Sequence, residues 1–225
     1  MARNIFKLIF RLTIIASVVV GICLTPVSRA VEQFWFFTIQ TNIFVAIIET
    51  ILVVCQILNM CKKQTPFIQN KTFSFVRILT AFFITITGLI YCFVPAPAGM
   101  FFDNEPFSKL FDVRNVLLHV VVPVMAIIDY LLYSKKGGLL YRHAPLFLIY
   151  PLIYFALVNF RVIFGGAPFA SGSYYPYFFL DPYHENQTWG TIAIYIAIIC
   201  LLFYGLACLY IFLDKRLANR KQHHD

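Results

Sequence analysis

Long apolar runs alternate along this chain with short polar connectors. A membrane-spanning helix needs roughly 20 mostly apolar residues. Six runs meet that length, at Ile5–Leu24, Phe34–Met60, Phe73–Val94, Val113–Tyr133, Ala144–Phe164 and Trp189–Leu213. The pattern predicts an all-α polytopic membrane protein, a six-helix transmembrane bundle forming a single domain over residues 1–225. Composition narrows this further. With 60% hydrophobic and 12% charged residues, no soluble domain of this size could cover its apolar surface.

The charges sort by connector. Arg3, Lys7 and Arg11 precede or open the first run, and Lys62, Lys63, Lys71 and Arg77 surround the second connector. Lys135, Lys136 and Arg142 fill the fourth, and Lys215, Arg216, Arg220 and Lys221 follow the last run. The opposite side carries Arg29, Lys109, Arg114 and Arg161 among Glu32, Asp103, Glu105, Asp112, Asp181 and Glu185. Cationic connectors stay in the cytoplasm, so both termini are expected there. The formal charge of +8 then reads as topology signal and as contact with anionic lipid headgroups, not as a nucleic-acid surface.

The N-terminal run has a basic start and a small-residue pattern at Ser28-Arg29-Ala30, which resembles a secretory signal with its cleavage site. The length of the run, Pro26 ahead of the site and the charge alternation favour a retained span. Cys23, Cys55, Cys61, Cys92, Cys200 and Cys208 lie in the runs or at their ends, without CxxC or Cys/His spacing. They read as small packing residues. No disulfide, metal or cofactor is expected, and GxGxxG and P-loop motifs are absent. The connector at 95–112 is rich in proline and glycine. The one at 165–188, GGAPFASGSYYPYFFLDPYHENQ at its start, combines prolines and glycines with tyrosines. It reads either as a lid over the outer mouth or as an aromatic belt at the membrane boundary.

Polar side chains are costly in hydrocarbon, so their positions inform. In the second run Thr38, Thr41, Asn42, Val45 and Glu49 share one helical face by spacing. The plain explanation is an interhelical hydrogen-bonded seam. In the fourth run Asp112, Asn115 and His119 share a face, with Arg114 beside them. His119 falls about 8 Å below the outer boundary at helical rise, and Thr38 lies at a similar depth. Tyr150, Tyr154 and Arg161, with Asn159 nearby, line the fifth run. Thr80, Thr87 and Tyr91 line the third. Arg161 is placed either to snorkel into headgroups or to turn inward as a clamp. Most of this polarity sits in the outer half. Asp129 lies near enough to the inner boundary to be solvated. A cavity open to the outer leaflet is therefore expected ahead of a channel.

One reaction fits a threonine and a histidine at matched depth. A hydroxyl becomes a nucleophile when a base removes its proton, and histidine suits that near neutral pH. Thr38 would attack an ester carbonyl and His119 would take the proton. Asn115 would orient the ring, and Asn42, Arg114 or Arg161 would stabilise the oxyanion. The GxSxG elbow of soluble hydrolases is absent.

The FFTIQTN segment opening the second run and the RNVLLHVVVPVMAIID fourth run resemble the androgen-induced gene family, which includes the androgen-dependent TFPI-regulating protein. YPLIYFALVNFRVIFGG and YYPYFFLDP are more similar to that family's bacterial six-pass relatives. The resemblance runs the length of the chain. It implies a six-pass hydrolase with a threonine nucleophile at Thr38 and a histidine base at His119, acting on fatty acid esters of hydroxy fatty acids. Thr41 is the alternative counterpart of the threonine. The bacterial branch implies a plasma-membrane location and leaves the lipid open. Two other readings stand beside it. One is a small transporter or lipid-binding protein in which Glu49 takes and gives protons, and the other is a non-catalytic membrane scaffold.

Overall fold

The computed structural model describes residues 2–93, 111–169, 171–184 and 187–222. The connector expected at 95–112, with Asp103, Glu105 and Lys109, lies outside them except at its last two residues, and so does Glu185. Among the described residues there is no strand. Six helices are long and apolar enough to cross a membrane. These are α1 (Ala2–Cys23), α2 (Phe37–Met60), α3 (Lys71–Phe93), α4 (Val113–Tyr133), α5 (Tyr141–Ile163) and α6 (Trp189–Gln222). Several are rich in Ile, Val and Phe, which have modest helix propensity in water. In hydrocarbon every backbone N–H and C=O needs an internal partner, and that requirement overrides propensity. Exposed residues on the spans are themselves apolar, among them Phe6, Ile47, Val54, Leu132, Leu201 and Leu202, as a lipid-facing surface requires.

The helix ends depart from the apolar runs for local reasons. The second run is apolar from Phe34, yet α2 starts at Phe37. A short helix, Ala30–Gln33, comes first, and Phe36 is extended. At its other end Lys62 adopts a left-handed φ of 61°, and Lys63 N–H reaches back to Leu58 O at 2.9 Å. That closure satisfies carbonyls that the helix end would otherwise orphan. α5 opens as a 3₁₀ stretch over Tyr141–Leu148 that contains Pro145.

The chain forms two compact units, Met1–Lys135 and Lys136–Asp225. In the first, α1, α2, α3 and α4 close a ring in which each packs on the next and α4 returns to α1. Their shared core is Ile14 and Val18 from α1, Val45 from α2, Ile84 from α3, and Val122 and Ala126 from α4.

In the second unit, α6 packs on the 3₁₀ opening of α5. Leu139, Ala144, Phe147, Ala207 and Ile211 are buried there. Asp214, fully buried, accepts the N–H groups of Gly137 at 2.8 Å and Leu139 at 3.1 Å. Gly137 has φ of +87°, which glycine alone adopts freely. Asp214→Ala strands two backbone donors and is expected to cost about 1–3 kcal/mol, read as earlier thermal unfolding and faster proteolytic cutting near Gly137. All six cysteines are unpaired.

Candidate active site

The site is built where α4 departs from regular helix. Asp112 starts α4 in an extended conformation, and its carboxylate accepts the Asn115 N–H at 2.7 Å. Acceptance of an early N–H is what an N-cap does. The helix then widens into a π turn over Leu117–Val121. Pro123 follows, with no N–H to offer the carbonyl four residues back, which is His119. The widened turn carries His119. Such turns are common at functional sites.

Two neighbours hold this turn through glycine. A Cβ at Gly88 of α3 would lie 3.0 Å from Pro123 Cβ and 3.1 Å from His119 O. A Cβ at Gly21 of α1 would lie 2.6 Å from Leu118 Cδ2. At Gly88 the nearest atoms are a rigid ring and backbone, so a side chain there must push α3 off α4. Gly88→Val is expected to leave a folded protein whose site is displaced. A displacement near 1 Å can cost on the order of 10²-fold in rate. Paired circular dichroism and rate measurements on that variant check this.

Thr38, the second residue of α2, faces the turn. Its Oγ1 is 3.4 Å from His119 Nε2, and His119 Nδ1 is 3.1 Å from Asn115 O. A carbonyl only accepts, so in the neutral ring Nδ1 carries the proton and Nε2 presents a lone pair to the Thr38 hydroxyl. Both residues are half-buried. Tyr91 of α3 stacks on the imidazole with ring centroids 4.2 Å apart. Asn115 meets the ring nitrogen through its backbone carbonyl.

The other polar residues of the α2 stripe make bonds of their own, although Asn42 Oδ1 is buried without a hydrogen-bond partner. Thr41, fully buried, lies 2.8 Å from Thr87 Oγ1 and 3.1 Å from Thr38 O. Asn42 donates to Thr38 O at 2.8 Å and to Leu118 O at 3.1 Å. Both amide hydrogens are thus used, and Asn42 braces α2 against the π turn instead of offering an oxyanion donor. Arg114 bonds Gln33 Oε1 through Nη2, while its Nε is buried without a hydrogen-bond partner. Arg114 therefore has a donor to spare.

Glu49 belongs to a different cluster. Arg11 Nε lies 2.9 Å from Asp129 Oδ1 and 3.4 Å from Glu49 Oε2, and Arg77 Nη2 pairs with Asp129 Oδ2. Relative exposures are 2% for Arg11, 5% for Glu49 and 1% for Asp129. Asp129, expected to be solvated, is instead enclosed between two guanidinium groups. Arg11, counted with the topology-setting cations, lies inside the bundle. The inner half is therefore not poor in polarity. A cavity of about 10 Å³ beside Glu49, Arg77 and Asp129 has room for roughly one water. A second cavity, about 420 Å³, opens at the N-terminal end of this unit, and an apolar groove of about 440 Å³ runs along α1 to Leu117 of the π turn. Arg11 could have been found from its flanks: LIF precedes it and LTII follows, so its guanidinium cannot stay in water.

Tyr154, Asn159 and Arg161 all lie in the second unit, where they hold the aromatic connector. Tyr154 is buried, with its ring 6.4 Å from Tyr177. Asn159 Oδ1 accepts the Tyr175 hydroxyl at 3.3 Å. Arg161 donates to Tyr174 O at 2.9 Å and to Ala167 O, and lies over the Phe169 ring. Its Nη1 and Nη2 thus reach carbonyls of the connector. Asp181 takes Ser173 Oγ at 2.7 Å and Tyr183 N–H at 2.9 Å, so the connector is an internally bonded structure.

No family model, no curated protein and no solved structure matches this chain.

Proposed function

We propose that the chain is an intramembrane hydrolase of lipid-like esters, with Thr38 as nucleophile and His119 as general base. The observation that carries this is the Thr38 hydroxyl 3.4 Å from His119 Nε2, on a ring whose Nδ1 is held by a carbonyl. A single tautomer is thereby favoured, the one a general base needs.

Thr38 Oγ attacks the ester carbonyl as its proton passes to Nε2. The tetrahedral intermediate collapses, and the alcohol leaves with that proton. An acyl–threonine remains. Water then attacks it, with His119 again accepting a proton, and the carboxylic acid and Thr38 hydroxyl are restored. Arg114 Nε–H is the candidate donor to the oxyanion, an interaction often worth 10²–10³ in rate. Thr41 and Asn42 secure the backbone under Thr38. Tyr91 limits ring rotation at His119.

The resemblance described above supplies the substrate class, fatty acid esters of hydroxy fatty acids or related lipids, reached sideways from the bilayer. It also suggests a bacterial plasma membrane as the site of action. The test is release of free fatty acid from such an ester by purified protein in lipid nanodiscs. The rival carrier reading is separated by Glu49→Gln. A hydrolase keeps turnover in that variant, whereas a proton-coupled carrier loses uptake in it and keeps uptake in Thr38→Ala.

A further inference from the structure

The cavity of about 420 Å³ at the N-terminal end of the four-helix unit has a chemistry that the hydrolase reading leaves unused. Its volume is in the range of small-ligand sites. Four cations line it: Lys7 and Arg11 from α1, Arg77 from α3 and Lys135 just past α4. Gln56, Asn59, Gln69 and Ser74 add neutral hydrogen-bonding groups. The carboxylates behind this wall are Glu49 and Asp129, which Arg11 and Arg77 engage. Two carboxylates against four cations leave about two positive charges facing the cavity.

Arg11 supplies an independent indication. It is 2% exposed, it lines this cavity, and its Nη2 has no hydrogen-bond partner. Its Nε is committed to Asp129, and Nη1 reaches Gln56 Oε1 only at 3.5 Å. A buried guanidinium with an unused N–H keeps its positive charge poorly compensated, and that charge adds to the field at the cavity wall. Lys7 is held over the Tyr133 ring at 5.1 Å, so it too is positioned at the wall.

We infer that this vestibule binds a phosphate-class oxyanion, with the Lys7 and Lys135 ammonium groups as its donors and the Arg11 guanidinium behind them as added positive charge. A phosphomonoester carries about −1.5 to −2 at neutral pH and offers three acceptor oxygens. That matches the excess charge and the two ammonium groups. The anion is either the headgroup of an acidic lipid or a free phosphate. Basic pockets between spanning helices commonly take acidic headgroups. The site lies at the opposite end of the unit from Thr38 and does not depend on the hydrolase reading.

The test measures thermal unfolding of the full chain in phosphatidylcholine nanodiscs. One arm adds inorganic phosphate, and another includes phosphatidic acid in the bilayer. A third includes phosphatidylglycerol, a phosphodiester of single charge. Stabilisation by phosphatidic acid beyond that by phosphatidylglycerol supports a lipid phosphomonoester. Stabilisation by inorganic phosphate supports the free ion. Lys7→Gln and Lys135→Gln alter only the cavity wall, and each is expected to weaken binding about fivefold. Gln69→Glu, at an exposed position, adds a repelling carboxylate and should weaken it in a chain that keeps all four cations. The proposal is overturned if neither phosphate nor phosphatidic acid shifts unfolding of the native chain. It is equally overturned if the shift survives undiminished in the Lys7→Gln/Lys135→Gln and Gln69→Glu proteins.

Discussion

Thr38→Ala is expected to abolish ester hydrolysis while leaving the bundle folded. The Thr38 hydroxyl makes a side-chain contact across helices with His119, and its removal empties little of the core because the residue is half-buried. His119→Ala should lower the rate by about 10²–10⁴, the span that general-base catalysis usually contributes. Thr38→Ser retains a nucleophilic oxygen and should keep measurable turnover. Thr41→Ala separates the two threonines. Its hydroxyl is tied to Thr87 and to the Thr38 carbonyl, so its loss should cost about 1 kcal/mol of stability and leave most of the rate. Parallel rates and unfolding curves for these four proteins check the assignment. The opposite pattern, with Thr41→Ala dead and Thr38→Ala active, would move the nucleophile one turn along α2.

Asp129→Ala is expected to be the most destabilising single change in the first unit. Asp129 is 1% exposed and joins Arg11 of α1 to Arg77 of α3. Removing it leaves two guanidinium groups competing for Glu49 in a region with little water. Breaking a buried pair from one side costs about 3–5 kcal/mol. Glu49→Gln should cost much less. Its Oε2 is 3.4 Å from Arg11 Nε and lacks hydrogen-bond geometry, so neutralising it removes a weak attraction along with a buried charge. Unfolding in mixed micelles measures both. Equal costs for the two variants would mean that Arg11 is shared evenly between the carboxylates.

The six spans were legible because lipid imposes one rule on every residue, and a run of 20 apolar side chains obeys it whatever the packing. The Thr38–His119 approach was legible as matched depth, since helical rise converts sequence position directly to height. The π turn was not. It arises from Pro123 acting with Asn42 and Gly88, residues from three helices whose meeting has no period along the chain. Arg11 misled because a cation near the N-terminus obeys the statistics of topology. Its burial depends on Asp129, 118 residues away. Asp129 misled in the same way from the other partner's side. Arg161 was ambiguous because its partners, the carbonyls of Ala167 and Tyr174, are backbone atoms that no side-chain pattern reveals.

A covalent intermediate is the direct test of the central claim. The purified chain would be mixed with an activated long-chain acyl ester, quenched in acid within a turnover and fragmented for mass spectrometry. The account predicts one acyl group on the peptide containing Phe37–Asn42, carried by Thr38 and missing from the Thr38→Ala protein. Turnover that proceeds with no acyl group on that peptide, or with the group on another residue, would contradict it.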